Sequence, residues 1–179
     1  TGSVIIEDKG QYFNRLFWVS PTGDVKCYNK RHLFTLAGEE KHYAPGSEHL
    51  IVTLKGFKIM PLICYDLRFP VWSRNTMDYD VLIYVANWPE KRSYYWQQLL
   101  IARAIENQSY VIGVNRVGKD GNNMPHSGDS VVLDALGSPV SKAIAGAEEV
   151  KYAELTKGHI NEVRSRFSFL NDRDGFSLA

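Results

Sequence analysis

Cys64 is the residue whose setting first suggests chemistry. It closes the apolar run FKIMPLIC (57–64), and ICYDLRFP (63–70) then turns polar at once through Tyr65, Asp66 and Arg68. A near-continuous apolar run of that length reads as a strand covered on both faces. The switch after it reads as a tight turn into the start of a helix. A sulfur placed there stands at the C-terminal edge of a sheet, where open α/β sheets bind ligands. A thiol becomes a useful nucleophile when it ionises, and a helix N-terminus or a nearby cation favours the thiolate. The plain alternative is a small buried hydrophobe, the commonest fate of a free cysteine. Cys27 is the internal comparison: it lies in an alternating segment beside Lys26, with no strand-to-turn transition after it, and reads as structural.

A nucleophilic thiol needs partners. Histidine is the usual one, but none of His32, His42, His49, His126 and His159 sits in a motif that pairs with Cys64, and each reads as a loop or surface residue. No His or Cys pair falls at a metal-ligand interval. Lysine is the alternative. YNKRHLF (28–34) places Lys30 at the end of an extended segment between aromatics, although a lone lysine is ordinarily a solvated charge. Among further polar residues, Arg68 suits a substrate carboxylate through its guanidinium fork, or else an ion pair with Asp66. Asn87 and Trp88 follow a buried strand at a pocket-lining position, where Trp88 reads equally as core. Asn115 and Arg116 end another strand on the same edge. His126, Ser127 and Asp129 occupy a Gly-rich loop that either borders the site or is simply solvated.

The elements that must position these residues follow from periodicity and turn chemistry. VIIE (4–7) and YFNRLFWVS (12–20) form a hairpin about a Gly-containing turn, and KCYNK (26–30) begins the next extended piece. Residues 31–49 read as loop. HLIVTL (49–54) pairs with FKIMPLIC, PVWSRNTM (70–77) has helical spacing with Pro70 near its first turn, and DVLIYVAN (80–87) is a buried strand. In SYYWQQLLIARAIENQ (93–108), Trp96, Leu99, Leu100, Arg103 and Ala104 share one helix face, with Ser93 as N-cap and Arg103 paired to Glu106. SYVIGVNRV (109–117), SVVLDA (130–135) and the alternating EEVKYAELT (148–156) read as strands, GKDGNNMPHSGD as loop and LGSP as a turn. A helical tail runs to about Arg166, and FSFLNDRDGFSLA forms an extended terminal arm. Strands and helices alternate from 57 to 117, so the fold class is α/β. The 179 residues read as a single domain. They are 44% apolar and 23% charged with a net charge of +1, and no run of like charge points to nucleic acid or an anionic membrane. Two cysteines argue against a disulfide framework and suit a reducing, cytoplasmic setting.

Taken in order, YNKRHLF, GEEKHYAPG (38–46), ICYDLRFP, ANWPEKR (86–92), LLIARAIENQSYVIGVNRVG (99–118) and HSGDSVVLDALG (126–137) resemble the carbon–nitrogen hydrolase, or nitrilase, superfamily. The wording is closest to its omega-amidase branch, which acts on 2-oxoglutaramate and 2-oxosuccinamate; YVANWPEKRSYYWQQLLIARAIENQ and NDRDGFSL point there. The resemblance implies an α-β-β-α four-layer sandwich, a homodimer or higher homo-oligomer, a small amide substrate and no cofactor or metal. It matches Cys64 to the nucleophile and Lys30 to the lysine that helps bind the oxyanion. The Tyr65 backbone N–H would be the second oxyanion donor. Glu39, seven residues before the Gly of APG, matches the glutamate that orients the lysine and the attacking water, with Glu40 adjacent.

The resemblance also assigns the general base to a glutamate well upstream of the lysine, in a strand–loop–helix region that these residues do not contain. Glu7, at a hairpin turn, does not take that role, and the expectation is a domain incomplete at its N-terminus. Other activities that fit are those of an N-carbamoyl amino acid amidohydrolase or a nitrilase. From a different class, the alternative is an inactive form with only an oligomerisation role.

Overall fold

The computed structural model describes residues 1–178. It opens with a three-stranded antiparallel sheet, β1 (Gly2–Asp8), β2 (Gln11–Val19) and β3 (Val25–Asn29), with β2 in the middle. Asp8 faces Gln11 across the first turn, and Lys9 and Gly10 between them both take positive φ, as two-residue hairpin loops require. Residues 31–49 contain only two short 3-10 turns, in agreement with the loop expected there, and the strand expected from His49 starts only at Val52.

The chain then builds β4 (Val52–Leu54), β5 (Phe57–Ile63), the short helix α1 (Pro70–Ser73), β6 (Val81–Ala86), the long helix α2 (Ser93–Asn107) and β7 (Tyr110–Asn115). A small hairpin of β8 (Val117–Lys119) and β9 (Pro125–Ser127) follows, then β10 (Val131–Leu133), β11 (Pro139–Lys142) and α3 (Lys157–Arg166). The main sheet has the order β11-β10-β7-β6-β5-β4. Its centre, β5-β6-β7, is parallel, and its flanks are antiparallel. Parallel neighbours need crossovers, supplied by residues 64–80 and by α2. All three central strands therefore end on one edge.

Alternation along those strands separates two cores. Met60, Leu62, Leu82 and Tyr84 join Val111 and the α2 stripe Trp96, Leu100 and Ala104. Ile59, Val81, Ile83 and Tyr110 join Val52 and Ile160 of α3. Gly113 lets α2 lie close on β7, since a Cβ there would sit 2.5 Å from a Leu100 methyl. Asp80 pins α3 to the sheet: its carboxylate accepts from the Lys58 N–H at 2.8 Å and pairs with Lys157 and Arg164.

The structure corrects several expectations. EEVKYAELT forms no strand. The main sheet ends at β11, so its alternation finds no partner, and Val150 and Tyr152 stay 76% and 89% exposed. The helix expected over 70–77 stops at Ser73, where side chains take over the backbone groups: the Asn75 N–H donates to Asn107 Oδ1, and the Tyr79 N–H donates to Asn75 Oδ1. Ser93 is the first helical residue rather than the cap, and its hydroxyl donates to Asp129. The Gly/Asn-rich loop contains the β8–β9 hairpin, and LGSP runs into β11. The terminal arm is not wholly extended: Phe169–Asp172 makes a 3-10 turn that buries Leu170.

Candidate active site

Cys64 lies one residue past β5, at the head of the 3-10 turn Cys64–Arg68. Its φ is +44°, in the left-handed region that costs a non-glycine residue about 1–2 kcal/mol. Such a conformation persists only where its surroundings over-determine it. Here Asp66 does so. Fully buried, it accepts from the Ile63 N–H (3.0 Å) and the Tyr28 hydroxyl (2.7 Å) on Oδ2, and from the His32 N–H (3.0 Å) on Oδ1, which also lies 2.9 Å from His32 Nδ1. Tyr28 Oη accepts in turn from Trp72 Nε1 and the Arg31 N–H. One carboxylate thus ties the turn that carries the thiol to residues 28–32, which carry Lys30.

Lys30 is only 2% exposed, and its Nζ donates to Glu39 Oε2 at 2.6 Å. The Phe34 N–H donates to the same oxygen at 2.8 Å. A buried ammonium requires such a partner. The Gly46 N–H donates to the Lys30 carbonyl at 2.9 Å, and any Cβ on Gly46 would lie 2.2 Å from the Asn29 oxygen. The Gly of APG therefore permits the close approach that seats the lysine strand end.

Cys64, Lys30, Glu39, Tyr65, Arg68, Asn87 and Trp88 all line one cleft of about 420 Å³, within the range of small-molecule sites. Asn87 is exposed there, and Trp88 is buried against Trp96. Asn115 clasps this turn: it accepts from the Trp88 N–H at 2.7 Å and donates to the Trp88 and Gly128 carbonyls. Arg68 does not pair with Asp66, whose oxygens are engaged as described. Its guanidinium instead covers the Trp88 and Tyr95 rings, at 5.0 and 5.6 Å. Asn115 and Arg116 also line the cleft, whereas His126, Ser127 and Asp129 do not. His126 and Asp129 are buried rather than solvated, and Asp129 accepts from Ser93 and Ser127 at 2.6 Å each. Arg103 pairs with Glu106 as the spacing predicts. Glu7 accepts from the Gly10 N–H in the hairpin turn, away from the cleft.

The thiol's electrostatics correct one expectation. Burial pushes the Cys64 thiol up from its ordinary value, and Lys30 and a backbone hydrogen bond from Asn87 pull the other way without cancelling it. Lys30 acts in the anticipated direction, but desolvation outweighs it. Sequence reasoning missed Tyr28, His32 and Asp66 as a network, because their partners lie 34 and 38 residues apart. Arg92 also went unremarked; it lines the cleft with its guanidinium over the Phe34 ring at 5.3 Å.

A parallel-centred α/β sheet thus brings a thiol, a buried ammonium and a carboxylate to the lining of one cleft at its strand ends. Residues 1–165 match the carbon–nitrogen hydrolase family, and the chain belongs to it, which makes it a hydrolytic enzyme of the amidase kind. It is 49% identical over 177 residues to omega-amidase YafV of Escherichia coli K12, covering 99% of this chain and 69% of that protein. It is 37% identical over 175 residues to the 2-oxoglutaramate amidase of Bacillus subtilis, covering 96% of this chain and 66% of that one. The crystal structure of XC1258 from Xanthomonas campestris, a CN-hydrolase superfamily protein with an arsenic adduct in its active site, superposes with a TM-score of 0.97 at 45% identity. That match covers 99% of this chain and 70% of XC1258. Among the described residues, no helix is long and apolar enough to cross a membrane.

Proposed function

We propose that the protein hydrolyses the terminal amide of a small linear substrate of the 2-oxoglutaramate or 2-oxosuccinamate type, through a thioester on Cys64, releasing ammonia without a cofactor. The observation that carries this reading is the Lys30–Glu39 pair at 2.6 Å in the cleft that Cys64 lines. Similarity to an omega-amidase and a 2-oxoglutaramate amidase supports the substrate class.

In this reading the Cys64 thiolate attacks the amide carbon and the carbonyl electron pair moves onto oxygen. The Lys30 ammonium and the Tyr65 N–H hold that oxyanion, the kind of contact that contributes most when donors are preorganised. Collapse expels nitrogen as ammonia once it is protonated and leaves the thioester. Glu39 keeps the lysine in place and orients the water that releases the acid. Arg68, carried on Trp88, meets the far end of the substrate, and Asn87 edges the same wall. The thiol's own proton requires a base. Among the described residues Glu39 is the only carboxylate lining the cleft, and its Oε2 already holds Lys30 and Phe34.

The test is ammonia release from 2-oxoglutaramate, followed alongside intact-mass detection of an acyl adduct on Cys64. Carbamoyl-β-alanine and an aliphatic nitrile serve as competing substrates. Turnover confined to either competitor, or an adduct on any other residue, would overturn the reading.

A further inference from the structure

The Cys64 turn is held at its far end by a residue that the proposed chemistry does not use. That end leaves the Leu67 carbonyl without a local donor. The Phe69 N–H donates to the Asp66 carbonyl, Phe69 then turns extended at φ −112° and ψ 91°, and Pro70 has no N–H to offer. Leu67 is fully buried, so its carbonyl needs a partner from elsewhere. Arg103 supplies it: Nη2 donates to the Leu67 oxygen at 2.6 Å, from 36 residues further along the chain.

Arg103 is only 3% exposed, on the stretch of α2 whose Leu100 and Ala104 pack in the main core. Its Nη1 donates to Glu106 Oε1 at 2.9 Å, and its Nε is buried with no hydrogen-bond partner among the described residues. An i,i+3 ion pair forms readily on an exposed helix face, so the pair with half-buried Glu106 does not itself call for burying the guanidinium. What burial achieves is to set the fork on the Leu67 carbonyl. Asp66 and Arg103 thus bracket one short turn. The carboxylate takes the Ile63 N–H at its start, and the guanidinium takes the Leu67 carbonyl at its end. Each charge meets the kind of backbone group that a helical turn leaves unpaired at that end.

We propose that Arg103 is a positioning residue: by holding Leu67 it fixes the left-handed Cys64 turn and keeps the sulfur in register with the Lys30 ammonium. This deepens the reading of Cys64 as the nucleophile and rests on it. A strained residue stays in place only when both sides of it are held, and Asp66 ties the turn to residues 28–32 alone. Lys30 favours the Cys64 thiolate while Glu39 and Asp66 oppose it. The size of the Lys30 effect therefore reports how closely sulfur and ammonium stay together.

The test is a double-mutant cycle read on Cys64 itself. The pH midpoint for iodoacetamide reaction at Cys64 is followed by mass spectrometry, with Lys30→Met introduced into the parent protein, into Arg103→Met and into Asn75→Ala. Asn75→Ala removes three buried hydrogen bonds beyond α1 and none to the Cys64 turn, so it shows what destabilisation alone does. Lys30→Met should raise the midpoint in the parent and in N75A, and by about half as much or less in R103M. Arg103→Lys, which still reaches one acceptor, should restore part of the difference. Arg103→Gln replaces Arg103→Met should that variant not fold. In ammonia release from 2-oxoglutaramate, R103M should lower kcat by about ten- to a hundredfold, the cost of a small misplacement of reacting groups, and R103K should recover part of it. A Lys30 effect of undiminished size in R103M, or one equally diminished in N75A, would overturn the positioning role while leaving Cys64 as the nucleophile. Absence of any Lys30 effect in the parent protein would remove the pairing of thiol and ammonium, and this inference with it.

Discussion

Cys64 and Cys27 are one side chain in two physical settings. Cys27 lies inside β3, opposite Phe17 of β2, and is exposed. Among the described residues, no hydrogen bond or ion pair engages its thiol. Cys64 sits past the end of a parallel strand in a left-handed conformation, packed against the main core and open to the cleft. The difference separates two properties that are easily merged. Strand-end geometry presents the sulfur to a ligand, whereas ionisation depends on the sum of burial, which opposes it, and Lys30, which favours it. Presentation is achieved, but the ammonium alone does not make the thiol acidic.

The comparison can be broken most directly by deleting each thiol in turn. Cys64→Ala should lower 2-oxoglutaramate hydrolysis by at least about ten-thousand-fold, in the manner of nucleophile deletions, while Cys27→Ser stays within about twofold in an ammonia-release assay. Next in size, Lys30→Met should slow the same reaction by about a hundred- to a thousand-fold, the range for one oxyanion donor. A smaller loss would leave the lysine with only its pairing to Glu39.

Asp66→Ala should cost about 3 kcal/mol in urea unfolding, since it orphans the Tyr28 hydroxyl and the Ile63 and His32 N–H groups in a buried site. Asp80→Asn, at the buried carboxylate that pins α3, should loosen that helix without changing Cys64 alkylation. In pH dependence, the midpoint for iodoacetamide reaction at Cys64 should lie above that of an ordinary thiol, because burial raises it. Lys30→Met should move it further up, so that less thiolate is present at pH 7. A midpoint below the ordinary value would mean that Lys30 outweighs desolvation. The smallest effect belongs to Cys27→Ser on stability, within about 0.5 kcal/mol as for exposed positions generally.

Local signals were readable where a segment's own pattern decided its fate. The apolar run ending at Cys64 became β5 followed by a turn, the Trp96–Leu100–Ala104 stripe became the buried face of α2, and the DKGQ turn became a two-residue hairpin loop. Lys30 and Glu39 were placed by resemblance, and they meet. Segments whose state depends on a distant partner were misread. EEVKYAELT alternates but has no strand to join, and the GKDGNNMPHSGD stretch has loop composition yet pairs Gly118 with His126 and Lys119 with Pro125. Arg68 has an acidic residue two positions away, but Asp66 turns inward to Tyr28 and His32.

By itself the sequence determined the α/β alternation, the position of the thiol at a strand end and the family to which the motifs belong. These are properties of short stretches, set by side-chain period and turn chemistry. Tertiary structure alone decided that Asp66 locks the Cys64 turn to residues 28–32, that burial opposes Lys30 at the Cys64 thiol, and that Arg92 enters the cleft. Each depends on groups far apart in the chain coming within a few ångströms in a medium poorer in water, where desolvation and pairing energies take their size from the surroundings.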